Sequence, residues 1–322
     1  MSFDNPKVII VGAGAMGGLF GGLLAEGGLD VTLVDVWPEH VAAINANGVH
    51  IVGAGGERSV PVRATTSAAD VTAADVVIFQ CKAYANEAAA KSIRHIFTSE
   101  TQTAAISFQN GLGSEEMLGR VLGADRIIGG LTAQGGLVEA PGVVRNFGDL
   151  PTYIGELSGG ASSRTEAIAA SFTRHGLPTM ATADIRREKW RKLLGNVGLG
   201  AISAVTDMRS IEIMAVPELR GTVLRLVDEA ADVAKAEGID LDVEEARSVL
   251  MQISDTRGGG TGQAKSSMRE DIIRGRLTEI DTIHGAVAQL ARKHGIATPT
   301  LDAMVGLVKG VEQQSLAKVN GR

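Results

Sequence analysis

Cysteine is almost absent from this chain of 322 residues. The single cysteine, Cys81, excludes an intramolecular disulfide and leaves no cysteine cluster that could bind a metal ion. We therefore expect neither a disulfide framework nor a metal site.

Aromatic residues, basic blocks and long apolar runs are scarce as well. Aromatic residues make up 3% of the chain, too few for the stacking platforms that bind single-stranded nucleic acid. The formal net charge is −6 without a basic block, so neither nucleic acid nor a membrane is an expected partner. No apolar run approaches the roughly 18 residues of a membrane helix, and Asp4 and Pro6 do not suit a signal peptide. We expect a cytoplasmic protein.

Glycine, by contrast, is abundant, and its most informative occurrence follows an apolar run near the start of the chain. Residues 7–11 read KVIIV and lead directly into the pattern Gly12-x-Gly14-x-x-Gly17, after which an Ala- and Leu-rich segment indicates a helix. In such a junction the first glycine permits a tight turn, the second lets the backbone approach a pyrophosphate, and the third permits close helix–strand packing. The pattern predicts a dinucleotide-binding loop formed by Gly12, Ala13, Gly14, Ala15, Met16 and Gly17.

An acidic residue, Asp35, closes the second predicted strand. A carboxylate at this point of a dinucleotide site usually accepts the ribose 2′-hydroxyl and would repel the 2′-phosphate of NADP. We therefore predict that NAD is preferred over NADP. The alternative is an ordinary strand-end or helix-capping aspartate ahead of Pro38.

The first half of the chain alternates short apolar runs with helical stretches, which predicts an α/β fold with a doubly wound parallel sheet. Two loops, 81–84 and 109–113, follow predicted strands, where open α/β sheets bind ligands. Residues 135–155 indicate further strands that close this sheet in antiparallel orientation. Because helical patterns dominate beyond residue 184, we predict a dinucleotide-binding domain over 1–182 and a helical substrate and dimerisation domain over 183–322.

Several features of the helical half allow two interpretations. The apolar face of the predicted helix Pro217–Lys235 is suited either to a homodimer contact or to the core. The glycine-rich stretch Arg257–Gln263 is either a lid beside a cleft or a plain surface connection. A further helix is predicted over Leu277–His294, with a capping-box-like start at Thr278 and Asp281.

Lys192 and Asn196 are four residues apart and so share one face of a predicted helix, among apolar neighbours. This arrangement indicates a site for an anion or a carbonyl group, although a lysine on a surface helix that extends towards solvent is the alternative. Ser267 could form a capping box with Glu270, and Glu279 could complement the dipole of a helix first turn.

Taken together, five spaced segments resemble those of the ketopantoate reductases (2-dehydropantoate 2-reductases), which convert a branched 2-oxo acid to pantoate. The resemblance covers nearly the whole chain and is carried by residues 12–17, 81–84, 109–113, 190–196 and 266–281. It implies a Rossmann-type domain followed by an all-helical domain, an active site in the cleft between them, and a role in pantothenate biosynthesis.

The resemblance also implies functions for individual residues. Lys192 and Glu279 are similar to the family's catalytic lysine and active-site glutamate. Asn196 and Ser267 resemble substrate contacts, whereas Lys82 and Asn110 resemble residues at the boundary between cofactor and substrate, where Asn110 would contact both.

The chain departs from the family pattern at two positions. Asp35 stands where the family often has a basic residue suited to NADP, and Gly200 stands where it commonly has an asparagine that binds pantoate. The leading hypothesis is thus a reductase of ketopantoate or a similar small 2-oxo acid. One alternative is an NAD-dependent dehydrogenase of a larger 2-hydroxy acid, which the space at Gly200 would admit, and another is a nucleotide-sensing protein without turnover.

Overall fold

A computed structural model describes residues 3–148, 150–253 and 266–320. These residues pack as two compact units. The first unit comprises residues 1–109 and 114–186, and the second comprises 110–113 and 187–322, so a four-residue loop groups with the second unit. The glycine-rich stretch Arg257–Gln263, interpreted as either a lid or a surface connection, lies outside the described residues.

In its described residues, the first unit contains twelve strands and five α-helices. The strands are β1 (Val8–Val11), β2 (Val31–Val34), β3 (Val49–Gly53), β4 (Arg58–Val60), β5 (Arg63–Thr65), β6 (Val76–Phe79), β7 (Ala104–Ser107), β8 (Ile127–Thr132), β9 (Gly136–Ala140), β10 (Val143–Asn146), β11 (Thr152–Gly155) and β12 (Thr179–Ala181). The helices are α1 (Ala15–Glu26), α2 (Pro38–Asn47), α3 (Asn86–Ile93), α4 (Ser114–Leu122) and α5 (Ser163–Arg174).

Eight strands form the main sheet in the order β12-β11-β8-β7-β6-β1-β2-β5. All neighbouring strands in it are parallel except β11 and β8. Along β1, Val8 and Ile10 belong to one apolar core, whereas Ile9 and Val11 belong to another. Successive side chains of a strand point to opposite faces, so this sheet is buried on both sides.

The prediction that residues 135–155 close the main sheet is right for one strand and wrong for two. β11 pairs antiparallel with β8, as expected. β9 and β10 instead belong to a second sheet of four strands, ordered β4-β3-β10-β9, in which β10 pairs in parallel with β3. Neither β3 nor β4 was among the predicted strands.

The second unit is helical. Its helices are α6 (Ile185–Thr206, which begins in the first unit), α7 (Ser210–Ala215), α8 (Pro217–Ala236), α9 (Val243–Ile253), α10 (Ser267–Ile273), α11 (Ala286–His294) and α12 (Pro299–Asn320). A five-residue π-helical segment, Asp281–Gly285, precedes α11, and we call it the π-turn. The predicted α/β fold followed by a helical region is confirmed.

Of the two predicted helices, Pro217–Lys235 matches α8, whereas Leu277–His294 differs from the structure. The apolar residues of α8, among them Val223, Leu226 and Val227, are buried in the core of the second unit, which decides between core and dimer contact for that face. The helix predicted from Leu277 instead starts with the π-turn, and Thr278 accepts the N–H of Ile280 rather than that of Asp281. No described helix is both long and apolar enough to cross a membrane.

Candidate active site

The glycine loop between β1 and α1 meets three different steric requirements. Gly12 has φ +96°, and a Cβ there would clash with the backbone of Cys81. A Cβ at Gly17 would clash with the carbonyl oxygen of Gly12, so the helix can approach the loop only with glycine. A Cβ at Gly14, however, would meet no atom of the described residues within 4 Å. The two outer glycines are thus needed for packing, whereas the middle glycine faces open space.

The N-terminus of α1 is suited to a phosphate group. Gly14 is its N-cap residue, and within the described part of the chain no side chain caps this helix. The first N–H groups of a helix lack partners within it and carry partial positive charge, so they attract anions. Together with the open space at Gly14, this N-terminus fits the pyrophosphate of a dinucleotide.

Asp35 follows β2 and is hydrogen-bonded to the backbone on both sides. One carboxylate oxygen accepts the N–H of Ala13 at 2.6 Å, and the other accepts the N–H of Trp37 at 3.0 Å. A carboxylate has about four lone-pair positions, so acceptor capacity remains for hydroxyl groups. Asp35 therefore supports the glycine loop and can also accept a ribose hydroxyl.

His40 was not identified from the sequence, yet it holds the same loop. Its Nδ1 accepts the N–H of Gly142 at 3.0 Å, so the imidazole proton lies on Nε2, which donates to the carbonyl oxygen of Ala13 at 2.9 Å. The ring is buried and stacks on Trp37, with centroids 5.0 Å apart. A histidine one turn into a helix carries no sequence signal for this contact, because Gly142 is distant along the chain.

Lys82 lies in the loop after β6, next to Cys81, whose backbone borders Gly12. Gln109, at the end of the neighbouring β7, donates from Nε2 to the carbonyl oxygen of Cys81 at 2.5 Å. It also bonds to Asn86, whose amide donates to Ser114 at 3.1 Å. This buried network joins Cys81, Asn86, Gln109 and Ser114 within the first unit.

In the second unit, Lys192 projects from α6, and its Nζ donates to Oδ1 of Asn110 at 2.8 Å. The pKa of this lysine is lowered to about 8, first by burial and then by charge repulsion from Lys189, while Glu279 acts in the opposite direction. Glu279 is itself buried, 8% exposed, just before the π-turn. Lys192 is therefore not a lysine that extends towards solvent, and Glu279 is not an exposed first-turn residue.

The loop that carries Asn110 is held against the π-turn. The N–H of Leu112 donates to the carbonyl oxygen of Thr282 at 2.9 Å. Gly111 has φ +83°, and a Cβ there would clash with the same carbonyl group. Asn110 thus reaches Lys192 from a loop whose backbone requires glycine at the next position.

The remaining predicted residues lie farther along α6 and at the start of α10. Asn196 is one turn after Lys192, and Gly200 one turn after that. Gly200 is buried, yet a Cβ there would meet no atom of the described residues within 4 Å apart from its own helix. Ser266 donates to the carbonyl oxygen of Gly200 at 3.1 Å, and Ser267 is the next residue along the chain.

The predicted capping box at Ser267 is wrong by one residue. The N-cap of α10 is Ser266, whose hydroxyl accepts the N–H of Arg269 at 3.1 Å. Ser267 is the first helical residue and is exposed, so its hydroxyl is not used for capping.

Comparison with known proteins agrees with this arrangement. The family model of ketopantoate reductase PanE/ApbA matches residues 8–159, and the model of its C-terminal part matches residues 184–312. A 2-dehydropantoate 2-reductase of Pyrococcus abyssi is 34% identical over 306 residues, which cover 95% of this chain and 98% of that protein. The chain belongs to the ketopantoate reductase family.

A Halobacterium salinarum 2-dehydropantoate 2-reductase is 33% identical, over 94% of this chain and 98% of that protein. Among solved structures, D-mandelate dehydrogenase with NADH and anilino(oxo)acetate matches with a TM-score of 0.89 and 29% identity, over 96% of this chain and 99% of that chain. As a member of the ketopantoate reductase family, the protein is a nicotinamide-dependent oxidoreductase. A dehydrogenase named for mandelate therefore shares this fold.

Proposed function

We propose that this protein interconverts a small branched 2-oxo acid and the corresponding 2-hydroxy acid, with ketopantoate as the first candidate substrate. The observation that carries the proposal is Lys192, a buried lysine bonded to Asn110 near Glu279, whose pKa burial lowers to about 8. A lysine with that pKa can both give and take a proton near neutral pH.

A bound reduced nicotinamide supplies a hydride to the carbonyl carbon, so the carbonyl oxygen becomes an alkoxide that needs a proton. Lys192 gives that proton from Nζ in the reduction, and neutral Lys192 takes it back in the oxidation. Its positive charge also stabilises the negative charge that develops on the oxygen.

The neighbouring residues orient the groups that react. The Oδ1 of Asn110 accepts one N–H of Lys192, which fixes where Nζ lies, and Glu279 favours the charged form of the lysine. Asn196 and Ser267 are assigned to the substrate carboxylate and hydroxyl groups. Such alignment accounts for a large part of the barrier reduction in enzymes.

For the cofactor, we assign the pyrophosphate to residues 12–17, the adenosine ribose to Asp35, and the region nearer the nicotinamide to Lys82 and Asn110. A carboxylate that already bonds to the loop backbone is poorly suited to a 2′-phosphate, because two negative groups would be held together. We therefore propose NAD rather than NADP.

The first test follows nicotinamide absorbance with purified protein, NADH or NADPH, and a panel of 2-oxo acids headed by ketopantoate. Oxidation of NADH by ketopantoate is the expected result. If NADH binds tightly but no 2-oxo acid is reduced, and no 2-hydroxy acid is oxidised in the reverse panel, the proposed reaction is wrong.

The open space at Gly200 favours a second candidate, an NAD-dependent dehydrogenase of a larger 2-hydroxy acid. The similarity to a D-mandelate dehydrogenase points in the same direction. The variant Gly200→Asn separates the two candidates, because it fills this space with an amide. If ketopantoate turnover rises, the site is suited to pantoate. If turnover of a larger substrate falls, that substrate uses the space.

A further inference from the structure

His284 is a fully buried histidine for which neither the sequence pattern nor the proposed reaction provides a role. Its Nε2 lies 2.9 Å from the carbonyl oxygen of Val197, and its Nδ1 has no hydrogen-bond partner among the described residues. Since a carbonyl oxygen can only accept, the proton of the ring lies on Nε2. Burial lowers the pKa of His284 to about 4, so the ring is neutral near neutral pH.

The two ends of this hydrogen bond belong to the two segments that carry the candidate chemistry. Val197 directly follows Asn196 on α6, the helix that also carries Lys192. His284 lies in the π-turn, which begins two residues after Glu279. The bond therefore joins the helix of the lysine to the segment of the glutamate.

The π-turn also contacts the loop that carries Asn110, the third residue of the candidate site. Its Thr282 carbonyl accepts the N–H of Leu112, in the loop whose Asn110 binds Lys192. π-Helical turns are rare and occur often at functional sites, where they place groups that a regular helix could not. One widened turn thus contacts both the lysine helix and the loop of its amide partner.

We propose that His284 is a positioning residue that, through the Val197 carbonyl, holds the π-turn against α6 and so sets the spacing of Lys192, Asn110 and Glu279. This proposal rests on the proposed function in one respect: the spacing affects catalysis only if Lys192 transfers the proton. The tether itself can be tested without turnover, through the titration of Lys192.

The pKa of Lys192 is set first by burial, and then by the charges of Lys189 and Glu279. Without the tether, Glu279 would act on Lys192 from a greater distance, while burial and Lys189 would still disfavour its charge. The pKa of Lys192 would then fall below its value of about 8.

The experiment compares three substitutions of His284. Gln places an N–H where Nε2 lies and can keep the bond to Val197. Asn reaches only as far as the Nδ1 position, and Leu has no donor. His294→Leu is the matched control, because His294 lies in the same unit and bonds to Glu237 instead.

Each variant is assayed for the pH dependence of Lys192 acylation by acetic anhydride, read by mass spectrometry, and for kcat and KM. We expect His284→Asn and His284→Leu to lower the pKa of Lys192 and to lower kcat by roughly a hundredfold, the effect of a displacement of about 1 Å. His284→Gln and His294→Leu should keep both quantities near wild type.

Two outcomes would overturn the assignment. One is an unchanged Lys192 titration in His284→Asn and His284→Leu. The other is an equal loss in all four variants, which would mean a general effect on folding. If the wild-type protein neither reduces a 2-oxo acid nor oxidises a 2-hydroxy acid, the proposed function fails, while the acylation measurement still decides whether His284 is a tether.

Discussion

At Lys192, burial and two charged neighbours act on one ammonium group. Desolvation and Lys189 disfavour the charge, and Glu279 favours it. The hydrogen bond to Asn110 fixes the position of Nζ but leaves its other N–H groups for a substrate oxygen. The residue is therefore both oriented and able to exchange a proton near neutral pH.

Replacement of this lysine should remove the proton donor while leaving the cofactor residues intact. We expect Lys192→Ala to lower the chemical rate by about a hundredfold or more, the usual effect of losing a general acid. Single-turnover measurements with saturating NADH would test it, with NADH affinity as the control. A variant that turned over normally would exclude Lys192 from the mechanism.

The pH dependence of the reaction should report the same group. Reduction needs protonated Lys192, so its kcat/KM should fall as the pH rises through about 8, whereas oxidation should increase over the same range. Lys189→Gln should move the fall in kcat/KM to higher pH, since it removes a charge that repels the ammonium group of Lys192. Glu279→Gln should move it to lower pH. Shifts in the opposite directions would contradict the assignment of this pH dependence to Lys192.

Among the elements, the turn from β1 into α1 has glycines of two kinds. Gly17 is required because a Cβ would clash with the carbonyl of Gly12, whereas Gly14 has no such neighbour. Its φ of −57° lies outside the left-handed region that favours glycine. Packing of the element therefore depends on Gly17, and its ability to bind a ligand depends on Gly14.

This difference predicts two distinct alanine phenotypes. Gly14→Ala should change the free energy of unfolding by less than about 1 kcal/mol but weaken NADH binding, since its methyl group would occupy the phosphate position. Gly17→Ala should destabilise the fold by at least about 1–3 kcal/mol, the range for overpacked sites. Urea unfolding would measure the free energy of unfolding of both variants, and titration with NADH would measure their affinity for the cofactor. Equal destabilisation by the two substitutions would contradict the prediction.

Local patterns identified β1, β2 and α8 well, because apolar periodicity and glycine or proline signals mark them directly. The second sheet was missed because β3 pairs with β10, a partner that no local window contains. The π-turn was missed for a related reason: its extra residue leaves the apolar periodicity of Leu277–His294 readable as an ordinary helix. The candidate site residues were predicted mainly from the resemblance to a family. That resemblance gave no indication of a role for His40 or His284.

Over the whole molecule, the two sets of candidate residues belong to different units. The glycine loop, Asp35 and Lys82 lie in the first unit, whereas Lys192 and Glu279 lie in the second. In each unit, hydrogen bonds within that unit hold candidate residues in place, as at Asp35 in the first and Lys192 in the second. Substitutions in one set should therefore leave the intrinsic properties of the other unchanged.

A substitution at Asp35 tests this independence of the two sets directly. Asp35→Ser should weaken NADH binding and improve NADPH binding, because it removes a carboxylate that accepts ribose hydroxyls and repels a 2′-phosphate. We expect the ratio of the two Kd values to change by about tenfold or more, corresponding to about 1.4 kcal/mol. Fluorescence titration with both cofactors would measure it, and the Lys192 titration serves as the control. An unchanged ratio would remove Asp35 from cofactor selection.

The parallel pairing of β3 with β10 also has a consequence during protein synthesis. Residues 143–146 leave the ribosome about 90 residues after residues 49–53, which at 5–20 residues per second is a delay of roughly 5–20 s. Throughout that interval one side of β3 has no strand beside it, and unpaired strand edges recruit other chains. The nascent first unit is thus most exposed to aggregation before β10 has been translated.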